Sequence, residues 1–130
     1  MTDKKINTVR LQEMSRAYTR SAALFSAIDL DLFSHIARGE DSVPKLATKL
    51  GISQLNAERL TTMCVACELL TRDGEQFANA PDVARYLVKD MPGYAGPWML
   101  FTQPDWAKWG HLSEHLADQS PPTQIGMYEN

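Results

Sequence analysis

The sequence predicts a mainly α fold built on a winged helix-turn-helix with one small β-hairpin. Three observations predict it. Apolar residues recur at helical spacing over most of the 130 residues. Two capped helical segments are separated only by Gly51, Ile52 and Ser53, the spacing of a helix-turn-helix. An Asp73-Gly74 turn between short alternating segments then follows directly, as a hairpin requires.

The elements follow in chain order. Ile6, Val9, Leu11, Met14 and Ala17 line one side of a first helix over 6–18, with Arg10, Glu13 and Arg16 between them. A second helix over 21–37 is apolar almost all round, and such a helix must be covered on several sides. One small domain offers limited cover, so these N-terminal helices are expected to dimerise, with Leu24, Ile28, Leu32 and Phe33 in the subunit contact. Gly39 breaks the pattern. Ser42 suits an N-cap and Pro44 a first helical turn, opening a helix through Leu46, Ala47 and Leu50 that stops at Gly51. Ser53 caps the next helix, whose apolar side holds Leu55, Leu60, Met63, Cys64, Cys67 and Leu70. After the hairpin, Pro81 opens a short helix ended by Met91-Pro92-Gly93. Two further helices start near Pro97 and Pro104, and the stripe Trp106, Trp109, Leu112, Leu116 runs along the second. Spacing favours a core position for Trp109 and leaves Met99 and Trp106 open to either role.

Composition narrows the function. Apolar residues make up 44% and charged residues 22%, the balance of a folded globular chain. Thirteen basic against sixteen acidic side chains give a net charge of −3. Such a chain lacks the basic surface that displaces counterions from nucleic acid. No apolar run reaches the roughly 18 residues of a membrane helix, and no apolar stretch behind Met1-Thr2-Asp3-Lys4-Lys5 reads as a signal peptide. Two cysteines make no disulfide framework, so a cytoplasmic domain with neither nucleic-acid nor membrane partners is expected.

Several constellations invite sharper readings. Cys64-Val65-Ala66-Cys67 has redox or zinc spacing, and His111 and His115 share a helix face. However, 43 residues separate Cys67 from His111, against the ~12–15 of a zinc finger, and the cysteines lie inside a helix rather than at its N-terminus. No metal site is predicted, and the cysteines read as core. A DNA-reading second helix would carry basic and amide side chains outward; here Gln54, Asn56 and Arg59 stand beside Glu58 and Glu68. His35 reads as structural. The seven glycines form no phosphate-binding loop.

Ser26-Ala27-Ile28-Asp29-Leu30-Asp31-Leu32-Phe33 resembles the second-helix signature of S-adenosylmethionine-dependent small-molecule O-methyltransferases. Leu46-Ala47, Leu50-Gly51-Ile52 and Glu58-Arg59-Leu60 are similar to the winged-helix part of the same module, and Trp109-x-x-Leu112 and Gly126-Met127 to its end. Together they span Val9 to Tyr128. The resemblance implies a helical winged-helix dimerisation domain over 1–120, with 121–130 starting a linker towards a catalytic domain that this chain lacks. It therefore implies no catalytic and no cofactor-binding residue here, with S-adenosylmethionine held by the parent enzyme. It implies a homodimer whose small acceptor, aromatic or polyketide-like and hydroxylated, is lidded by Met99, Thr102, Gln103, Trp106, Met127 and Tyr128. Met14 and Tyr18 would reach in from the partner. The alternative is a small winged-helix transcription regulator that touches DNA through Gln54, Asn56 and Arg59.

Overall fold

The computed structural model describes residues 5–118 and falls into two units, Met1–Tyr94 and Ala95–Asn130. In the first unit, α1 (Val9–Arg16) runs into α2 (Tyr18–Asp29) through Ala17, whose backbone stays helical. The predicted single helix over 21–37 is two. At Leu30–Asp31 the chain turns, with Asp31 in the left-handed region (φ +58°) ahead of α3 (Leu32–Ala37). A short polar side chain tolerates that conformation. The Lys89 ammonium, 2.9 Å from the Asp31 carboxylate, and the Ser34 hydroxyl, which accepts the Lys89 N–H at 3.0 Å, tie the corner down.

The helix-turn-helix forms as its caps dictate. Ser42 takes the extended N-cap conformation of α4 (Val43–Leu50), although its hydroxyl makes no capping bond, and Gly51 ends the helix at φ +68°. Ser53 accepts the Asn56 N–H at 3.0 Å and so caps α5 (Gln54–Ala66). Strands β1 (Leu70–Asp73) and β2 (Gln76–Asn79) pair antiparallel. Asp73 pairs with Gln76, so the turn residues are Gly74 and Glu75, one position later than Asp73-Gly74. Gly74, at φ +63°, stands first in that turn, where a positive φ matches the strand twist. Asp41 O accepts the Phe77 N–H at 2.9 Å, and the Asn79 amide donates to Phe33 O at 2.9 Å, joining the hairpin to α3 and the loop after it. Helix α6 (Pro81–Tyr86) completes the unit.

The core of this unit explains where the apolar second segment goes. Ile28, Leu32 and Phe33 are 6%, 0% and 1% exposed, packed with Leu46, Leu60, Cys64, Leu70 and Phe77 inside the same chain. Three of the four residues assigned to the subunit contact are therefore covered within one chain. The corner at Asp31 supplies the reason, because it folds α3 back against α4 and β2 while α5 packs on α2. Leu24 alone remains half-buried.

In the second unit, α7 (Gly96–Met99), a 3₁₀ turn (Leu100–Asp105), α8 (Trp106–Gly110) and α9 (Leu112–Asp118) follow one another. Trp109, expected in the core, is 48% exposed. The break between α8 and α9 at His111 divides the stripe that one continuous helix would have carried.

Candidate functional site

Two surfaces, one on each unit, carry the residues singled out by the sequence. On the first unit, α1 has no buried residue. Val9, Leu11, Met14 and Tyr18 are 55–65% exposed, and none of them joins the core. Beside this arm, one depression of about 230 Å³ is lined by Thr19, Arg20, Met63, Ala66 and Cys67. Another of about 200 Å³ is lined by Arg20, Ser21, Leu24, Cys67 and Leu69. They share Arg20 and Cys67, so they run together as a shallow furrow between the start of α2 and the end of α5. Leu24, the remaining contact candidate, forms part of its wall.

On the second unit, Met99, Thr102, Gln103 and Trp106 lie along one short stretch of chain. A 3₁₀ turn brings residues three apart onto one face, so Met99 neighbours Thr102 and Gln103 neighbours Trp106. The Trp106 N–H donates to Gln103 O. Met99 and Trp106 are 38% and 37% exposed, Thr102 is exposed and Gln103 half-buried. Sequence reading missed the exposure of Trp98 (71%) and Phe101 (46%), whose ring centroids stand 5.9 Å apart. Helical spacing alone gave no sign of it, because α7 ends after about one turn and a 3₁₀ turn follows, so no continuous α-helical register runs through Trp98 and Phe101. Met127 and Tyr128 lie outside the described residues.

The remaining candidates have structural partners. Glu40 lies 2.6 Å from His35 Nδ1 and 3.6 Å from Lys49 Nζ, and the hydrogen bond from His35 holds its carboxyl below the usual value of 4.5. Lys89 is raised by its hydrogen bond to Asp31. Burial pushes the Cys64 thiol up to about 12, with Cys67 adding to the effect, so the thiolate needed for redox or metal chemistry is disfavoured. His111 Nδ1 lies 3.4 Å from Glu114, both exposed. On the wing, Arg72 pairs with Glu58 at 3.1 Å and sits over the Phe77 ring, while Arg59 donates to Asn56 at 2.9 Å. The cations a DNA-binding surface would present are thus engaged within the fold. Among the described residues, no helix is long and apolar enough to cross a membrane.

The sequence profile of the O-methyltransferase dimerisation domain matches residues 12–90. The chain is 31% identical over 102 residues to 3-hydroxy-5-methyl-1-naphthoate 3-O-methyltransferase of Streptomyces sahachiroi, covering 75% of this chain and 30% of that protein. It is 31% identical over 120 residues to the tetracenomycin polyketide synthesis 8-O-methyl transferase of Streptomyces glaucescens, covering 89% of this chain and 35% of that one. An O-methyltransferase family protein of Burkholderia thailandensis superposes with a TM-score of 0.72 at 28% identity, over 87% of this chain and 34% of that chain. The chain thus spans about a third of the length of the relatives it matches. Nothing in these likenesses supports the DNA-reading alternative.

Proposed function

The chain belongs to the O-methyltransferase dimerisation-domain family, and from that premise we propose that it pairs two copies of a methyltransferase subunit and lids the acceptor pocket of each. The observation that carries the pairing is α1, a helix with apolar side chains that are left exposed among the described residues. Obligate interfaces resemble a core cut in half and commonly bury ~2,000–5,000 Å². Val9, Leu11, Met14 and Tyr18 offer one half of such a core, and the furrow beside Leu24 offers the other. Ile28, Leu32 and Phe33 belong to the chain's own core. The domain occupies residues 1–120, and 121–130 begin the linker. We place it in the cytoplasm, where its thiols stay reduced.

The parent enzyme's methyl donor is S-adenosylmethionine, which supplies the methyl group when bound. The described residues do not fit it. Such a cofactor sits at the carboxyl ends of parallel strands behind a glycine turn, whereas the strands here form a two-stranded antiparallel hairpin and Gly51 and Gly74 serve a helix cap and its turn. The donor site is therefore assigned to the part of the enzyme this chain does not span.

The acceptor is a small hydroxylated aromatic or polyketide-like molecule, in keeping with the two Streptomyces relatives. Met99 and Trp106 are its flat apolar walls, and Thr102 or Gln103 orients the reacting hydroxyl. Met14 and Tyr18 enter from the partner, and Met127 and Tyr128, outside the described residues, belong to the same proposed lid. In the full-length enzyme, Met99→Ala and Trp106→Ala should raise the acceptor KM several-fold and change acceptor preference, with S-adenosylmethionine affinity intact. Unchanged acceptor kinetics in a folded dimer would refute the lid and leave only pairing.

A further inference from the structure

Residues 88–90 form a strap across α3. A turn closed by the Met91 N–H on Val88 O at 3.1 Å leaves Lys89 and Asp90 exposed and Val88 buried. The strap meets α3 at Asp31, Ser34 and Arg38, whose spacings of three and four put them on one helical face. The Lys89 ammonium stands 2.9 Å from both oxygens of the Asp31 carboxylate, and the Lys89 N–H donates to the buried Ser34 hydroxyl at 3.0 Å. Asp90 faces Arg38 at 3.7 Å. On the opposite face, Leu32, Phe33 and Ile36 are buried and anchor α3 in the core. What the strap adds is a grip on the residue ahead of the helix, the left-handed Asp31 that follows α2.

That point has leverage. Helices α1 and α2 continue one another through the helical Ala17, so the arm from Val9 to Asp29 is roughly 30 Å long at 1.5 Å per residue. Turning the arm by about 10° at the corner would carry the start of α1 through about 5 Å, close to one helical turn. Apolar side chains that interlock like a divided core do not tolerate such a shift. The buried residues of α2 are Ala23, Ala27 and Ile28, from its middle onward, and α1 has none. The near end of the arm is therefore held by packing, and its angle depends on the corner. Asp31, a non-glycine residue at φ +58°, adopts that corner at a cost to its backbone. We infer that Lys89 is a positioning residue for subunit pairing: by gripping Asp31 it sets the direction in which the α1–α2 arm leaves the core. This rests on the pairing proposed above and adds to it a residue outside the proposed contact.

The experiment is a double-mutant cycle on dimer dissociation, read by sedimentation equilibrium of this 130-residue chain at low salt. The variants are Asp31→Asn, Lys89→Met and the two together. Asparagine tolerates the left-handed backbone, so Asp31→Asn removes the charge and leaves the corner allowed. Each single variant should stay folded by far-UV circular dichroism and raise the dissociation constant roughly four- to twenty-five-fold. Each subunit loses one part-exposed ion pair, about two- to fivefold, and a dimer contains two. The double variant should be no weaker than either single one, because both remove the same contact. An unchanged dissociation constant with a lowered Tm would overturn the proposal, leaving Lys89 a role in stability alone. Additive effects would also overturn it, since Lys89 would then act on the partner directly and not through Asp31. Both of those results leave a dimeric wild type and the pairing intact, whereas a wild type that stays monomeric overturns the pairing and the strap together.

Discussion

Glu40 shows how a single side chain reports on the fold. Its carboxyl is held below the ordinary value of 4.5 by the His35 hydrogen bond, with Lys49 adding a smaller pull. A carboxyl depressed in the folded state stabilises at pH above its unfolded value and loses that contribution as pH falls through the folded one. Thermal melts should therefore show a smaller drop in Tm between pH 7 and pH 3 for Glu40→Gln than for the wild type. An equal drop would mean that the contact contributes nothing in solution. The cysteine pair separates in the same way. Cys64, buried with its thiol near 12, should resist alkylation at pH 8, and half-buried Cys67 should react first in a monomeric variant such as Leu24→Asp, where the furrow is uncovered. Peptide mapping after iodoacetamide reads the order directly. Residue-scale features of this kind were legible only in part. The Cys-x-x-Cys spacing and the helix around it said core, but nothing in the sequence paired His35 with Glu40, because the loop between them sets that geometry.

Elements whose signal is local were readable. Ser53, Gly51 and the Asp73-Gly74 pair act through the nearest backbone, so the helix-turn-helix and the hairpin stand where their caps and turn put them, with the turn displaced by one residue. The corner at Asp31 was not readable. Its left-handed backbone is held by Lys89, 58 residues away, and a periodic apolar pattern runs through it without interruption. That corner moves Phe33 into the core, and Phe33→Ala should cost about 3–5 kcal/mol of stability in denaturant unfolding, as for other buried aromatics. A cost below ~1 kcal/mol would return Phe33 to a surface role. In the second unit one helical stripe was read from Trp106 to Leu116, but the chain breaks between α8 and α9 at His111 and Trp109 is exposed where spacing put it inside.

For the molecule as a whole, the family was legible because its signature is a pattern of residue types along the chain and does not depend on how the Asp31 corner folds. The sequence reading put Leu24, Ile28, Leu32 and Phe33 in the subunit contact; Ile28, Leu32 and Phe33 are buried within the chain itself, whereas Val9, Leu11 and Met14 are exposed on it. Hydrophobicity marks what must be covered and does not say by which chain. The central claim is that this domain assembles through α1 and the furrow beside Leu24, and sedimentation of the isolated chain at micromolar concentration tests it most directly. A dimer for the wild type is predicted. Leu24→Asp, at a half-buried position, should give a folded monomer, and Ile28→Asp, at a core position, should give unfolded or aggregated protein. A wild-type chain that sediments as a stable monomer, or a Leu24→Asp variant that remains a dimer, would contradict the account.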